Sequence, residues 1–287
     1  MRILAAAVDR TFAAVEARWN RFVAGGAMGS LLVAVFLGVL VAVELNRAGL
    51  LPRAMGSLVG TNHFAAVGTA FMLLLFVEIL ALVFGLVKSV ADSVGKQFEL
   101  FSLILLRKAF LEFGKSGEPI AWETASSGVM VALADILGAL LIFVVIGFYY
   151  RLQRHKPIVA SETEQENFIL GKKMVALALL SGFVVLGILD GWYLLSGVPT
   201  YDFFHAFYTL LIFSDVLIVL ISMIYTTDYQ VVFRNSGFAA ATVILRLALV
   251  SPPVISGALG LGAALLVLGL TAAYNAFTPH TAEPSRG

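Results

Sequence analysis

Residues 126–150 read SSGVMVALADILGALLIFVVIGFYY. A half-buried strand would alternate polar and apolar residues, and a helix on a soluble core would carry a polar face. This run does neither. It is apolar on all sides and longer than the roughly 20 helical residues that cross a hydrocarbon core about 30 Å thick. Its single charge is Asp135. Five further stretches have the same character: Ala27–Glu44, Phe64–Val87, Met174–Leu195, Phe204–Tyr225 and Val254–Phe277.

The composition agrees with a polytopic, all-α integral membrane protein. The chain has 287 residues, of which 60% are hydrophobic and 13% charged, with a mean hydropathy of +0.95. Soluble domains hold about 45–50% apolar and about 25% charged residues. These values exclude a soluble enzyme, a disordered chain and a transmembrane β-barrel. A net charge of +1 without a basic block argues against a nucleic-acid partner. With no cysteine, disulfides, thiolate nucleophiles and Cys-based metal sites are excluded. The expected partner is the lipid bilayer, in a bacterial-type cytoplasmic membrane.

Two shorter apolar segments, Gln97–Phe113 and Ser236–Val250, each hold an arginine, Arg107 or Arg246. At about 14–17 residues they span roughly 21–25 Å, short of a full core. The basic residues bear on whether they cross. With six crossings and a cytoplasmic N-terminus, ten of the 19 lysines and arginines fall inside and nine outside. With eight crossings, 13 fall inside, and Arg47, Arg53, Lys115 and at the boundary Lys108 remain outside. The positive-inside rule favours eight crossings with both termini cytoplasmic.

The two halves share a pattern. Leu73–Leu80 (LLLFVEIL) parallels 210–217 (LLIFSDVL), and Ile104–Phe110 (ILLRKAF) parallels 243–249 (VILRLAL). The acid-to-arginine distances, Glu78 to Arg107 and Asp215 to Arg246, are 29 and 31 residues. Each half opens with a span ending in an acid, Glu44 or Asp190. The expected organisation is an amphipathic surface helix (1–27), a first membrane repeat (28–150), a charged cytoplasmic loop (151–172), a second repeat (173–277) and a polar tail (278–287). Four spans per half make the repeats parallel. Ser251-Pro252-Pro253 predicts a tight helical hairpin. Small residues at four-residue spacing (Ser256/Gly260, Ala258/Gly262, Gly187/Gly191) predict close helix packing.

A lone charge at mid-bilayer costs about 2.5–3.5 kcal/mol. Glu78, Asp135, Asp215, Arg107 and Arg246 therefore require partners or water, and the repeated register pairs Glu78 with Arg107 and Asp215 with Arg246. Asp135 has no counterpart in the other half. Two readings follow. Glu78, Asp135 and Asp215 form a proton or cation pathway with Arg107 and Arg246 as counter-charges, or the pairs are structural clasps. Glu44 and Asp190, near span ends, are weaker candidates. His63 and His205 stand near span starts, where they suit interface or protonation-sensitive roles better than haem ligation. Tyr149, Tyr150, Trp192, Tyr193, Tyr201 and Tyr208 read as an interfacial aromatic belt. There is no H-E-x-x-H, G-x-S-x-G, P-loop or dinucleotide fingerprint, so no enzyme, metal site or cofactor is implied. The expectation is a secondary transporter or channel for a small solute or cation. The alternative is a non-transporting scaffold or accessory subunit.

Overall fold

A computed structural model describes residues 2–52, 56, 59–87, 90–114, 122–153, 162–196, 203–225 and 228–277. Among them the chain is helical, without a strand. The tail from Thr278 onward, His155, His280, Tyr201 and the loops at 115–121 and 154–161 lie outside the described residues, as do the side chains of His205 and Tyr208.

The helices are α1 (Arg2–Ala24), α2 (Ala27–Arg47), α3 (Phe64–Gly85), α4 (Val90–Gly114), α5 (Trp122–Leu152), α6 (Glu162–Ser196), α7 (Phe203–Tyr225), α8 (Tyr229–Val250) and α9 (Pro253–Phe277). Six contain stretches long and apolar enough to cross a membrane: Ala27–Arg47, Phe64–Gly85, Gly128–Leu152, Glu166–Tyr193, Tyr229–Val250 and Pro253–Phe277. Within α7, Thr209–Ile224 is a shorter apolar helix. The chain is thus a multi-pass membrane protein.

Local chemistry sets the breaks. α2 ends where Gly49 takes φ +69, a left-handed conformation that residues with a Cβ rarely adopt. The amides of Gly49 and Leu50 then donate back to the carbonyls of Asn46 and Leu45, closing the last turn. Asn46 Nδ2 donates to the carbonyls of Gly56 and Gly60 and pins the loop that follows. α8 starts at Asp228, whose side chain accepts from the Gln230 amide at 3.0 Å. At Ser251-Pro252-Pro253 the chain turns directly into α9.

Both segments read as short are full helices. α4 has 25 residues and α8 has 22, because polar first turns, VADSVGK and YQVVFRN, are helical too. The apolar run alone underestimates a helix whose entry is polar. The charged connection before the second half is likewise part of α6 from Glu162 onward.

Packing follows chain order in both halves: α2 on α3, α3 on α4, α4 on α5, then α6 on α7, α7 on α8, α8 on α9. Across the halves α5 packs on α9 and α4 touches α8. α1 packs on α2 and α6, tied by Lys173 Nζ to Asp9 at 2.8 Å, with Phe12 and Trp19 against Phe84.

On α5 the buried stripe is Ala132, Asp135, Ala139, Ile142, Ile146 and Tyr149, alternating three- and four-residue steps. Leu133, Leu137, Leu140 and Phe143 point outward. Large apolar side chains on the outside are expected where the solvent is hydrocarbon. The α5–α9 crossing is close: a Cβ on Gly138 would sit 3.1 Å from Gly257 Cα. Ser256, Gly257, Gly260, Ala263 and Ala264 form the packed face of α9, whereas Ala258 and Gly262 face outward. Gly187 and Gly191 are also exposed. Of the small-residue faces predicted for packing, only Ser256/Gly260 is used.

Candidate functional site

The charges within the membrane bundle converge on α4. Ser93, Gln97, Phe101, Ile104 and Leu105 give this helix an inward face, and Arg107 lies beside it, 9% exposed. Each polar group on α4 reaches a different neighbour.

Arg107 forks onto Glu78 of α3. Nη1 donates to Oε2 at 2.7 Å and Nη2 donates to Oε1. Two parallel N–H donors matched to two carboxylate oxygens make a bidentate pair, the strongest geometry available to these groups. Phe71 lies 5.9 Å from the guanidinium carbon and supplies its aromatic face.

The second acid and arginine are connected differently from the direct pair expected. Gln97 Nε2 donates to Asp215 Oδ1 at 3.2 Å, while its Oε1 accepts from Arg246 Nη2 at 2.8 Å. Arg246 also acts on the Asp215 carboxylate through its charge. The amide is a neutral bridge between two buried charges of opposite sign, and it ties α4 to α7 and α8 together. A cavity of about 20 Å³ adjoins Asp215, lined also by Ser93 and Thr242. It has room and polar partners for one water molecule.

Asp135, without a counterpart in the second half, is 1% exposed. It interacts electrostatically with Lys108 of α4. Lys108 Nζ also donates to the Leu249 carbonyl at 3.1 Å, in the last turn of α8, where the helix dipole favours a cation.

Gln97 and Lys108 were missed in the sequence. Gln97 carries no charge, and the sequence pattern places Lys108 at a span boundary. Their spacing offered a signal: 93, 97, 101, 104 and 108 fall on one face of a helix.

An open cleft of about 940 Å³ lies between α1, α3, α4 and α5. Its polar lining includes Glu16, Glu78, Asp92, Lys96 and Glu99, beside Trp19 and Tyr150. From Gly85 back to Glu78 it runs about 10 Å along α3, at 1.5 Å per residue. Tyr150 donates to Glu99 at 2.7 Å, Lys96 donates to Glu99 at 2.6 Å, and Gln153 donates to Asp92 at 2.6 Å. Tyr149 is buried and donates to the Ala91 carbonyl, so Tyr149 and Tyr150 are packing groups of α4 and α5 and not part of a belt. Trp192 is exposed, as a belt residue would be.

The remaining candidates stand apart from this network. Glu44 is 63% exposed and meets His63 and Arg47 at the end of α2. Asp190 of α6 is half-buried, with Oδ1 lacking a hydrogen-bond partner among the described residues. Comparison with protein families, curated proteins and solved structures finds no match for the chain.

Proposed function

We propose that the protein is a secondary transporter or channel-like passage for a small cationic solute, entered through the cleft between α1, α3, α4 and α5. One observation carries this reading. Glu78, an acid within a membrane-spanning helix, lines an open cleft whose other charges are mainly carboxylates: Glu16, Asp92 and Glu99 against Lys96. A low-dielectric wall with one sign of charge concentrates the opposite sign in solution. A carboxylate at membrane depth that solvent can reach is suited to exchange a proton or a cation.

In this reading Glu78 is the exchanging acid and Arg107 its counter-charge, released when a cation or proton takes its place. Asp215 and Asp135 then hold α4 in register through Gln97 and Lys108. The full arrangement is eight crossings in two parallel repeats (28–150 and 173–277), both termini in the cytoplasm, without enzymatic chemistry. The same packing order in both halves and the distribution of basic residues support it.

The test is flux in proteoliposomes of purified protein, using Na+, K+ and tetramethylammonium under an imposed potential and at several pH values. Wild-type flux that depends on pH, and that Glu78→Gln abolishes or makes pH-independent, is the expected result. Undiminished flux with unchanged pH dependence in Glu78→Gln overturns the assignment.

A second reading is a non-transporting scaffold or accessory subunit. The engagement of Arg107 and Gln97 with acids on two other helices favours it, since clasps of this kind fix register. It expects no flux of any probe from the wild-type protein.

A further inference from the structure

Among the described residues, three arginines of the bundle helices are buried or half-buried, and they are not matched alike. Arg107 faces Glu78, and Arg246 is linked to Asp215 through Gln97. Arg234, in the second turn of α8, has only neutral partners among the described residues. Its Nη2 donates to Asn235 Oδ1 at 3.2 Å, and its guanidinium carbon stands 4.2 Å from the Tyr274 ring centroid and 5.9 Å from that of Phe238. A half-buried guanidinium among rings and aliphatic carbons is costly without a negative charge near it.

Arg234 lines a pocket of about 130 Å³ together with Gln230, Phe233, Leu270, Ala273 and Tyr274. The pocket lies where α8 begins and α9 ends, at one end of two candidate spans joined by a tight turn. That position is the boundary between hydrocarbon and water. Tyr229, Phe233 and Phe277 around it are exposed, as aromatic residues at headgroup level are.

We propose that this pocket binds the headgroup of an anionic membrane phospholipid. Arg234 donates to the phosphate, and the aromatic and aliphatic wall takes the glycerol and the start of an acyl chain. The charge complements the guanidinium. The mainly apolar lining fits an amphiphile and gives a free inorganic anion little to hold.

The test is thermal unfolding of the purified full-length protein in a neutral detergent, titrated with phosphatidylglycerol, phosphatidylcholine or inorganic phosphate. Phosphatidylglycerol is expected to raise the midpoint saturably, with little effect from the other two. Arg234→Gln is expected to weaken the apparent affinity about fivefold, the contribution of one cation near an anionic headgroup. Ala273→Trp keeps the arginine but fills the pocket at an exposed position, and the same loss is expected. It decides the matter if Arg234→Gln does not fold. An unchanged phosphatidylglycerol response in Ala273→Trp, or in a folded Arg234→Gln, overturns the proposal. An equal response to phosphatidylcholine or to inorganic phosphate overturns it too.

Discussion

Gln97 joins Asp215 and Arg246 because a primary amide is donor and acceptor at once. Nε2 answers the carboxylate and Oε1 answers the guanidinium, each over a short distance. No other side chain of that size does both without adding charge. Gln97→Leu leaves two buried charges short of a partner and is expected to lower stability by about 3 kcal/mol. Gln97→Glu is expected to keep the contact to Arg246 but to repel Asp215, and so to be destabilising unless Asp215→Asn accompanies it. Unfolding of the three variants in detergent checks this, and a double variant no better than Gln97→Glu alone contradicts it. The Glu78–Arg107 pair obeys a related rule. Arg107→Leu strands a carboxylate and is expected to cost more than the paired Glu78→Leu/Arg107→Leu change.

α4 is the element on which the interior depends. It is polar enough to fall outside the apolar spans, yet Phe98, Phe101 and Leu105 are fully buried and its polar groups meet α3, α5, α7 and α8. α9 accommodates it by being small where they meet: a Cβ on Gly260 would overlap the Phe101 ring and press on Ile142. Gly260→Ala is therefore expected to destabilise by about 1–3 kcal/mol through overpacking. Gly262→Ala, two residues on, meets nothing within 4 Å and is expected to be neutral or mildly stabilising through helix propensity. Equal melting temperatures for the two variants would contradict this packing.

At the scale of the whole molecule large apolar side chains such as Leu137, Phe143 and Phe213 cover the outside, while an apolar core also encloses an amide, carboxylates and guanidinium groups. The cleft is the exception, an external surface expected to be wet. Because the chain has no cysteine, single-cysteine labelling gives a clean reading of which surfaces meet water. A water-soluble maleimide needs thiolate, which forms in water and not in hydrocarbon. Leu103→Cys, on the cleft wall, is expected to react. Leu137→Cys, more exposed but on the outer face of α5, and Ile142→Cys, in the core, are expected to stay unlabelled. Labelling of Leu137→Cys at the rate of Leu103→Cys would remove the distinction between lipid-facing surface and cleft.

Membrane character and the identity of the stranded charges follow from the linear chain, since an apolar run of sufficient length and a charge inside it are properties of composition and spacing alone. Ser251-Pro252-Pro253 likewise marks its own turn, because proline cannot continue the preceding helix. Partner choice is different in kind. That Arg246 reaches Asp215 through Gln97, 149 residues earlier, and that Lys108 stands by Asp135, depends on which face each helix turns toward α4. The same holds for the glycines: Gly260 and Gly262 are alike in composition, and the positions of Phe101 and Ile142 separate them. Hydropathy decides which solvent surrounds the chain, while rotation and crossing of the helices decide which buried charge meets which, because those depend on side chains far apart in sequence packing against one another.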